Sequence, residues 1–307
     1  MLYCLKYKKK GRKVKNNQEE FYPAALTIAA SDSGGGSGIQ ADLRTFNAAG
    51  VYGCSVITAV TAQNPRQITA SCAVDEKLVK AQMENVFSAI AIKAVKTGML
   101  ANAKIVKTVA GVLQKHKLPL IVDPMMIAGN GTKLVDDETI SAIVKELLPL
   151  ASLIILNLPE AEYLTSCKLK NDKDYTDCAM LLAETFHCNI LLKTAHSALP
   201  GKVCDTAVLD KKLYYLAAPV PDDMEEYTDH GCGCTLSSGI TAMIAAGNNF
   251  RNALTAAAAH VFGALSETAH IGKNLDAMYP PLDDYSSAIT LRSLEKNSER
   301  KGTRHDR

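Results

Sequence analysis

The sequence predicts an α/β fold: a central, mostly parallel sheet with helices on both faces and a small β edge. Three observations lead to this prediction. Apolar runs of strand length alternate along the chain with segments of helical periodicity, as in sheets built from right-handed crossovers. Those runs are apolar throughout, which is typical of strands that are buried on both faces. One later segment instead has the pattern of an antiparallel hairpin at a sheet edge.

The predicted elements follow one another without an internal repeat or a linker. Strands are predicted at 25–30, 54–60, 93–96, 119–122, 152–156 and 189–193. Helices are predicted at 38–49, 76–91, 101–116, 137–147 and 174–186. The runs VCDTAVL and KLYYLAA flank Asp210-Lys211 and predict the hairpin over 203–216. Two alanine-rich helices are expected after it, at about 233–246 and 251–270.

A single domain is predicted from 21 to 284. Residues 1–20 carry seven Lys/Arg against two Glu and have no core-forming period, so we expect a disordered basic arm there. Residues 285–307 are polar and basic in the same way, and we expect them to form a tail outside the domain.

Composition excludes several classes of protein. Net charge is +2, from 34 basic and 32 acidic residues, which is too balanced to indicate a nucleic-acid partner. No apolar run approaches the ~18 to 20 residues that span a bilayer, so no membrane association is expected. The number of cysteines, nine, is odd, and the N-terminal residues do not have the pattern of a signal peptide. Together these observations predict reduced thiols and a cytoplasmic location.

A glycine-rich turn, SDSGGGSG at 31–38, follows the first strand and leads into the helix that begins GIQAD. Such a turn offers backbone N–H groups and lets a ligand approach closely. A dinucleotide site is excluded, because Ile39 stands where a third glycine is required and no acidic residue ends the second strand. A plain tight turn is the alternative interpretation.

A second glycine-rich turn, HGCGCTLSSG at 230–239, precedes an apolar helix. Its N–H groups and the helix dipole favour an anion beside Gly231 and Gly233. At a helix start we expect Cys234 to have a lowered pKa, which would make it a base or nucleophile next to a phosphate. A buried structural cysteine is the alternative. No Walker A motif is present, so a nucleotide would have to be held by this second device.

Further polar groups follow the other strands. Asp123 ends one strand, and Asn157 and Glu160 follow the next with the spacing of a helix capping box. The functional alternative is a carboxylate that holds Mg²⁺ or its waters near a polyphosphate. Lys193 ends its strand and either balances phosphate charge or is solvated. Met99 also follows a strand, where it packs in the core or against a flat ring.

In this order, these segments resemble the hydroxymethylpyrimidine/phosphomethylpyrimidine kinases of thiamine biosynthesis, in the ribokinase superfamily. The stretch 25–65 carries the strongest resemblance, and it continues through KTGML, VDPMM, NLPEAEYL, LLKTAH and HGCGCTLSSGI to about residue 270. The resemblance implies a ribokinase-like fold with a small lid. It also implies the ATP-dependent phosphorylation of 4-amino-5-hydroxymethyl-2-methylpyrimidine, and then of its monophosphate to the diphosphate.

The resemblance also implies roles for individual residues. For the substrate, Gln63 would pair with the pyrimidine edge, Asp42 would lie near the hydroxymethyl group, and Met99 would pack on the ring. For ATP and Mg²⁺, Lys193 would face the nucleotide phosphates, and Glu160 would serve the metal, with Asn157 beside it in the nucleotide site. Gly231 and Gly233 would form the anion hole, and Cys234 would stand in the position of the catalytic base.

Two other functions compete with this one. Pyridoxal and pyridoxine kinases of the same superfamily act on flat rings with a hydroxymethyl group, although Gln63 and Met99 favour the pyrimidine. A non-catalytic, pyrimidine-binding regulator is disfavoured because Asp42, Glu160 and Cys234 are all present. A homodimer is expected from the family resemblance alone.

Overall fold

A computed structural model of the chain describes residues 21–220 and 229–294. Before residue 21 it gives only the backbone of two short antiparallel strands, β1 (Val14–Lys15) and β2 (Gln18–Glu19). Otherwise the arm predicted over 1–20 lies outside the described residues. Residues 295–307 of the predicted tail lie outside them as well.

Within the described residues, the main sheet has ten strands in the order β14-β11-β10-β9-β8-β7-β6-β3-β4-β5. The six strands from β9 to β4 run parallel to one another, which confirms the predicted α/β class. The strands of this sheet are β3 (Ala24–Asp32), β4 (Tyr52–Asn64), β5 (Gln67–Ala73), β6 (Ile92–Thr97), β7 (Leu120–Val122), β8 (Leu153–Asn157), β9 (Asn189–Leu199), β10 (Lys202–Leu209), β11 (Lys212–Pro219) and β14 (Thr290–Ser293). A separate hairpin consists of β12 (Ala269–Gly272) and β13 (Leu275–Ala277).

Helices cover both faces of the sheet. They are α1 (Gly38–Ala48), α2 (Glu76–Ala89), α3 (Ala103–Leu113), α4 (Asp137–Ala142), α5 (Leu158–Thr165), α6 (Asp172–Phe186), α7 (Cys232–Ala245) and α8 (Phe250–Ser266). Helix α4 continues as a π-helical turn, Ile143–Leu147, and a 3₁₀ turn, Leu148–Leu150. Helices α2 to α6 pack on one face, and α1, α7 and α8 pack on the other. No helix of the described part is long and apolar enough to cross a membrane.

The continuous apolar character of the parallel strands is explained by this double cover. In β8, Ile154 and Leu156 join the core under α2 to α6, whereas Leu153 and Ile155 join the core under α7 and α8. Because successive side chains of a strand point to opposite faces, both sets must be apolar.

Two regions differ from the sequence-based prediction. Strand β4 does not end at residue 60 but continues to Asn64 and turns back as β5, all of whose residues are exposed. An exposed strand has no buried face. Its sequence therefore has no alternating apolar pattern from which the strand could be predicted. The predicted domain end at 284 is also wrong, because β14 pairs with β11 and contributes Leu291 to the core.

The order in which strands are added to the sheet reverses at β3. Strand β3 lies between β6 and β4, so the chain leaves it on one side and later returns on the other. In open α/β sheets, ligands bind at the carboxyl ends of the strands beside such a switch point. Residues that follow β3, β4 and β6 are therefore brought to one edge of the sheet.

Candidate active site

The two glycine-rich turns meet face to face at that edge. We call residues 33–37 the first glycine loop and residues 229–233 the second glycine loop. A Cβ at Gly231, whose φ is +91°, would lie 1.8 Å from the carbonyl oxygen of Gly36. A Cβ at Gly36 would lie 2.5 Å from the His230 ring. No side chain fits at either position, so glycine is required by both the backbone contact and the positive φ of Gly231.

Asp32 ties the two loops together. One of its carboxylate oxygens accepts a hydrogen bond from the Gly34 N–H at 2.8 Å. The other accepts from the N–H and the hydroxyl of Ser37 and lies 3.1 Å from His230 Nε2. Burial acts to raise the pKa of Asp32, but the hydrogen bonds from Ser37, His230 and Gly34 hold that pKa below its usual value. The first loop is therefore fixed to the second through a buried carboxylate.

Helix α7 begins at this contact, at the position where the sequence analysis expects an anion hole. Its N-cap is Gly231, and no side chain caps it. The N–H groups of its first turn have no partner inside the helix, and the helix dipole adds to their attraction for an anion. A Cβ at Gly233 would lie 3.1 Å from Lys193 Nζ, so the ammonium group sits directly over this turn.

Lys193 stays charged in this position. Burial lowers the pKa of Lys193, but the carboxylates of Asp123 and Glu160 outweigh that effect and raise the pKa above its usual value. The Cys232 N–H already donates to the Asp229 carbonyl at 2.9 Å, so the ammonium group of Lys193 lies over a turn in which the next two N–H groups, those of Gly233 and Cys234, have no partner within the helix. An ammonium group beside such N–H groups favours a bound anion.

Cys234 lies in the first turn of α7 and is buried. The predicted lowering of its thiol pKa is wrong. Burial raises the pKa of Cys234, and the nearby positive charge of Lys96 and the Gly38 N–H offset this only in part. A helix start does favour a thiolate, but removing the thiolate from water costs more in this position.

Asp42, expected to lie near the substrate hydroxymethyl group, is fully buried in the structure. Its two carboxylate oxygens accept hydrogen bonds from Lys96 Nζ at 2.5 Å and from the Thr27 hydroxyl at 2.6 Å. Burial lowers the pKa of Lys96, but the Asp42 carboxylate outweighs it and holds that pKa above its usual value. Helix α1 turns the Asp42 side chain toward the sheet. There, Asp42 holds the Lys96 ammonium group in place.

Gln63 lies near the end of β4, and Met99 follows β6; these two strands flank β3. The Gln63 side chain is partly exposed; its oxygen accepts from the Thr61 hydroxyl at 3.1 Å, and its amide nitrogen donates to the Ser37 hydroxyl at 3.4 Å. The amide of Gln63 therefore lies beside the first glycine loop. Met99 follows β6, is partly buried, and accepts a hydrogen bond from Thr58 through its carbonyl oxygen.

Asn157 and Glu160 form the capping box of helix α5. Asn157 accepts from the Glu160 N–H at 2.9 Å, and Glu160 accepts from the Asn157 N–H at 3.0 Å. The second Glu160 oxygen accepts from the Met126 N–H at 2.8 Å. Burial raises the pKa of Glu160 despite these backbone donors. Each oxygen already accepts a backbone N–H, so Glu160 would have to reach a metal or one of its waters through its remaining lone pairs.

Asp123 has a carboxylate oxygen that could still accept a ligand. It directly follows β7 and is 1% exposed, and its buried Oδ1 atom has no hydrogen-bond partner among the residues that the structure describes. Its Oδ2 atom accepts from the Ser237 hydroxyl of α7 at 3.1 Å. No group of three His, Cys, Asp or Glu side chains that could hold a metal ion is found in the residues that the structure describes. A metal in this site would therefore depend on phosphate oxygens and water for most of its ligands.

A cavity of about 260 Å³ opens beside Lys193. Its polar end is formed by Lys193, Asp205 and the second glycine loop, and its remaining walls are apolar side chains of β11 and α8. Cys232 lines it as well, and burial raises the pKa of this thiol to about 12. A cavity with an apolar body and a cationic mouth fits a flat base with an attached phosphate chain.

Four polar residues of this arrangement were not among the predicted site residues: Asp32, Lys96, Asp205 and His230. A charged residue inside an apolar strand was the available signal for three of them, in ASD, AVKT and VCDTAVL. His230 precedes the second glycine loop and gave no separate signal. Its contact with Asp32 joins residues 198 positions apart, which no local pattern contains.

The chain is similar to known proteins over most of its length. The family model described as phosphomethylpyrimidine kinase matches residues 32–278. A hydroxymethylpyrimidine/phosphomethylpyrimidine kinase of Rhizobium meliloti is 41% identical over 244 residues, which cover 79% of this chain and 90% of the relative. A thiamine biosynthesis bifunctional protein of Geobacter sulfurreducens, ThiED, is 36% identical over 251 residues, covering 81% of this chain and 50% of the relative.

Solved structures are similar over the same region. The phosphomethylpyrimidine kinase of Clostridium difficile superposes with a TM-score of 0.66 at 36% identity, covering 76% of this chain and 95% of that one. The pyridoxal kinase of Staphylococcus aureus in complex with AMP-PCP has a TM-score of 0.78 at 25% identity, covering 90% of this chain and all of that one. These structures share the ribokinase-like fold expected from the sequence.

Proposed function

The chain belongs to the phosphomethylpyrimidine kinase family, and from that premise we propose that it transfers the γ-phosphoryl group of ATP to 4-amino-5-hydroxymethyl-2-methylpyrimidine and then to its monophosphate. The protein is a kinase of thiamine biosynthesis. One observation carries the proposal: the first glycine loop and Gln63 lie directly against a helix start that offers an anion hole, with Lys193 over it.

The acceptor is held at the first glycine loop. Gln63 can both donate to and accept from an aminopyrimidine edge, and Met99 supports the ring. The acceptor hydroxyl then faces the start of α7, where the thiolate form of Cys234 accepts its proton. The hydroxyl oxygen bonds to the γ-phosphorus as the bond from that phosphorus to ADP breaks, and ADP leaves. Asp42 holds Lys96 in place beside Cys234; the charge of Lys96 favours the thiolate, whereas the Asp42 carboxylate opposes it.

The transferred phosphoryl group meets the N–H groups around Gly231 and Gly233. Phosphoryl transfer needs positioning and neutralisation of charge more than covalent chemistry. The free N–H groups answer the charge that develops on the phosphoryl oxygens, and Lys193 balances the remaining phosphate charge. The cavity beside Lys193 accommodates the base of ATP.

Asp123 would hold Mg²⁺ or one of its waters. The support is the buried Oδ1 atom without a partner, and the fact that magnesium uses one or two carboxylates together with substrate phosphates. A Mg²⁺ ion held there would neutralise part of the negative charge of the ATP phosphates. Glu160 and Asn157 contribute by fixing the backbone of residues 126–127 beside Asp123.

We also propose a homodimer in the cytoplasm. Strand β5 is an edge strand that is exposed along its whole length, with Ile68 on its surface and Val60 exposed on the neighbouring strand β4. Exposed edges of this kind invite pairing with another chain. The cytoplasmic location rests on the thiols, because the eight cysteines of the described residues are all free.

The test is product analysis by mass after incubation with ATP, Mg²⁺ and the aminopyrimidine alcohol. We expect the monophosphate first and the diphosphate after it. Pyridoxal, offered separately, is the competing substrate, because pyridoxal kinases are similar over 90% of this chain. Faster turnover of pyridoxal than of the pyrimidine would contradict the substrate assignment, and no turnover of either would leave a binding protein.

A further inference from the structure

Strand β9 carries an irregularity immediately after Leu192. Thr206 of β10 pairs with Leu192, whereas Cys204 pairs with His196. Three residues of β9, 193–195, therefore face the single residue Asp205. Two extra residues in one strand form a bulge, which bends the strand and re-aims its side chains. We call residues 193–195 the β9 bulge.

The β9 bulge contains a strained residue. Ala195 has a φ of +45°, in the left-handed region that non-glycine residues seldom adopt. The strain must be compensated by specific contacts, because an exposed alanine has no packing that would hold it there.

Asp205 supplies those contacts. Its Oδ1 atom accepts hydrogen bonds from the Thr194 N–H at 2.9 Å and from the Ala195 N–H at 3.1 Å. These are the N–H groups that the bulge withdraws from the sheet. The Thr194 hydroxyl adds a bond to the Cys204 carbonyl at 2.9 Å, so the bulge is held on β10 by Asp205 and by the residue before it.

The bulge sets the position of Lys193. Lys193 still pairs with Asn157 of β8, so the strand is regular up to this residue and irregular after it. Lys193, Ala195 and Asp205 all line the cavity beside the second glycine loop. A shift of the bulge would move Lys193 Nζ away from the start of α7 and change the mouth of the cavity.

We propose that Asp205 is a positioning residue for nucleotide binding, which acts by holding the β9 bulge so that Lys193 reaches the anion hole and Ala195 borders the cavity. The proposal rests on the nucleotide site described under the proposed function. Asp205 itself needs no contact with the nucleotide, since its bound oxygen is engaged by the backbone.

The experiment compares Asp205→Ala with Asp205→Asn in the full chain. Titration calorimetry with AMP-PCP and Mg²⁺ gives the nucleotide Kd, and steady-state kinetics give the KM for the aminopyrimidine alcohol. Asp205→Ala should weaken nucleotide binding by about tenfold or more, because a misplaced binding group loses most of its effect. The KM for the pyrimidine should change by less than about twofold, because Gln63, which is proposed to bind the pyrimidine, lies in β4 and not beside the β9 bulge. Asp205→Asn keeps an acceptor oxygen and should stay within about threefold of the wild type.

A second substitution tests the strain. Ala195→Gly in the Asp205→Ala background should recover part of the lost nucleotide affinity, because glycine adopts φ near +45° without the clamp. Asp210→Asn, in the turn of the same hairpin and outside the cavity, is the matched control and should leave nucleotide binding unchanged. If Asp205→Ala does not fold, Asp205→Ser replaces it, since a serine hydroxyl is too short to serve both N–H groups.

Wild-type nucleotide affinity in Asp205→Ala would overturn the proposal. Equal losses in nucleotide and pyrimidine affinity would overturn it too, since they indicate a general structural role. An Asp205→Asn variant as weak as Asp205→Ala would assign the effect to charge rather than to position. Failure of the wild-type protein to bind AMP-PCP would instead contradict the proposed function.

Discussion

At the residue scale, Cys234 shows two opposing effects on one thiol. A helix N-terminus and Lys96 favour the thiolate, whereas burial favours the neutral thiol, and burial prevails in this structure. A thiol with a raised pKa is mainly protonated at neutral pH, so only a small fraction of Cys234 is the thiolate that can accept a proton. This has a consequence for the pH dependence of turnover.

We expect kcat to rise with pH across the neutral range. Below the pKa of the thiol, the thiolate fraction grows by about tenfold per pH unit, and a raised pKa extends this rise toward alkaline pH. The measurement is kcat between about pH 6.5 and 9.5 for the wild type and Cys234→Ala. A residual Cys234→Ala activity with the same slope would assign the titration to another group.

Replacing the thiol should slow chemistry more than binding. Cys234→Ala should lose ~10²- to 10⁴-fold in kcat, the usual contribution of a positioned general base, with KM values changed much less. Cys167→Ala, which removes an exposed thiol from the turn after α5, is the control for thiol loss. A nearly active Cys234→Ala would leave the backbone N–H groups of the anion hole as the main source of catalysis.

Gln63 should affect one substrate only. Gln63→Ala should weaken binding of the aminopyrimidine alcohol by ~1–3 kcal/mol, because a paired ring edge loses its partner. Nucleotide affinity should stay constant, and calorimetric titration of both ligands separates the two effects. Equal weakening of both would mean that the contact of Gln63 with Ser37 is structural.

At the element scale, the two glycine loops and the starts of α1 and α7 form one unit. Gly36 and Gly231 are in backbone contact, and Asp32 bonds to both loops. Each loop alone reads as an ordinary tight turn in the sequence. The contact between them explains why glycine is required at both positions.

Gly231→Ala should therefore be severely disruptive. Its Cβ would overlap the Gly36 carbonyl oxygen, and alanine is strained at a φ of +91°. We expect destabilisation of several kcal/mol, or loss of turnover if the loops separate instead. Gly111→Ala in α3 is the matched control, because a Cβ there meets nothing within 4 Å and should stabilise the helix by ~0.5–1 kcal/mol. Urea unfolding of both variants measures the difference, and an unperturbed Gly231→Ala would mean that the loops are not in contact.

At the scale of the whole molecule, the sheet extends past the apparent end of the domain. Strand β14 pairs with β11 through four register positions and covers part of the core over α8. The segment 281–285 before it is held by Glu267, which accepts from the Leu282 N–H and the Tyr285 hydroxyl. The chain from 285 to 294 is thus part of the folded unit.

Truncation after residue 284 should lower the melting temperature clearly relative to truncation after residue 294. The shorter chain exposes the β11 edge and the side chains of Ile289 and Leu291 are lost from the core. Thermal unfolding followed by circular dichroism compares the two truncated chains. Equal melting temperatures would show that β14 contributes nothing to stability.

The sequence by itself determined the α/β class, the parallel strands and the positions of both glycine loops. These features depend on local periodicity, on apolar strands and on turn residues, which a short window contains. It also determined the capping box of Asn157 and Glu160, since that motif lies within four residues.

The hydrogen-bond partners and the burial of the polar side chains, in contrast, depend on how the folded chain packs. The tertiary structure engages both oxygens of Asp42 and of Glu160, leaves Asp123 Oδ1 without a partner, and raises the pKa of Cys234 by burial. It also adds β5 and β14, which are exposed or late in the chain and carry no apolar pattern. Hydrogen-bond partners and burial depend on residues far apart in sequence, and only packing brings those residues together.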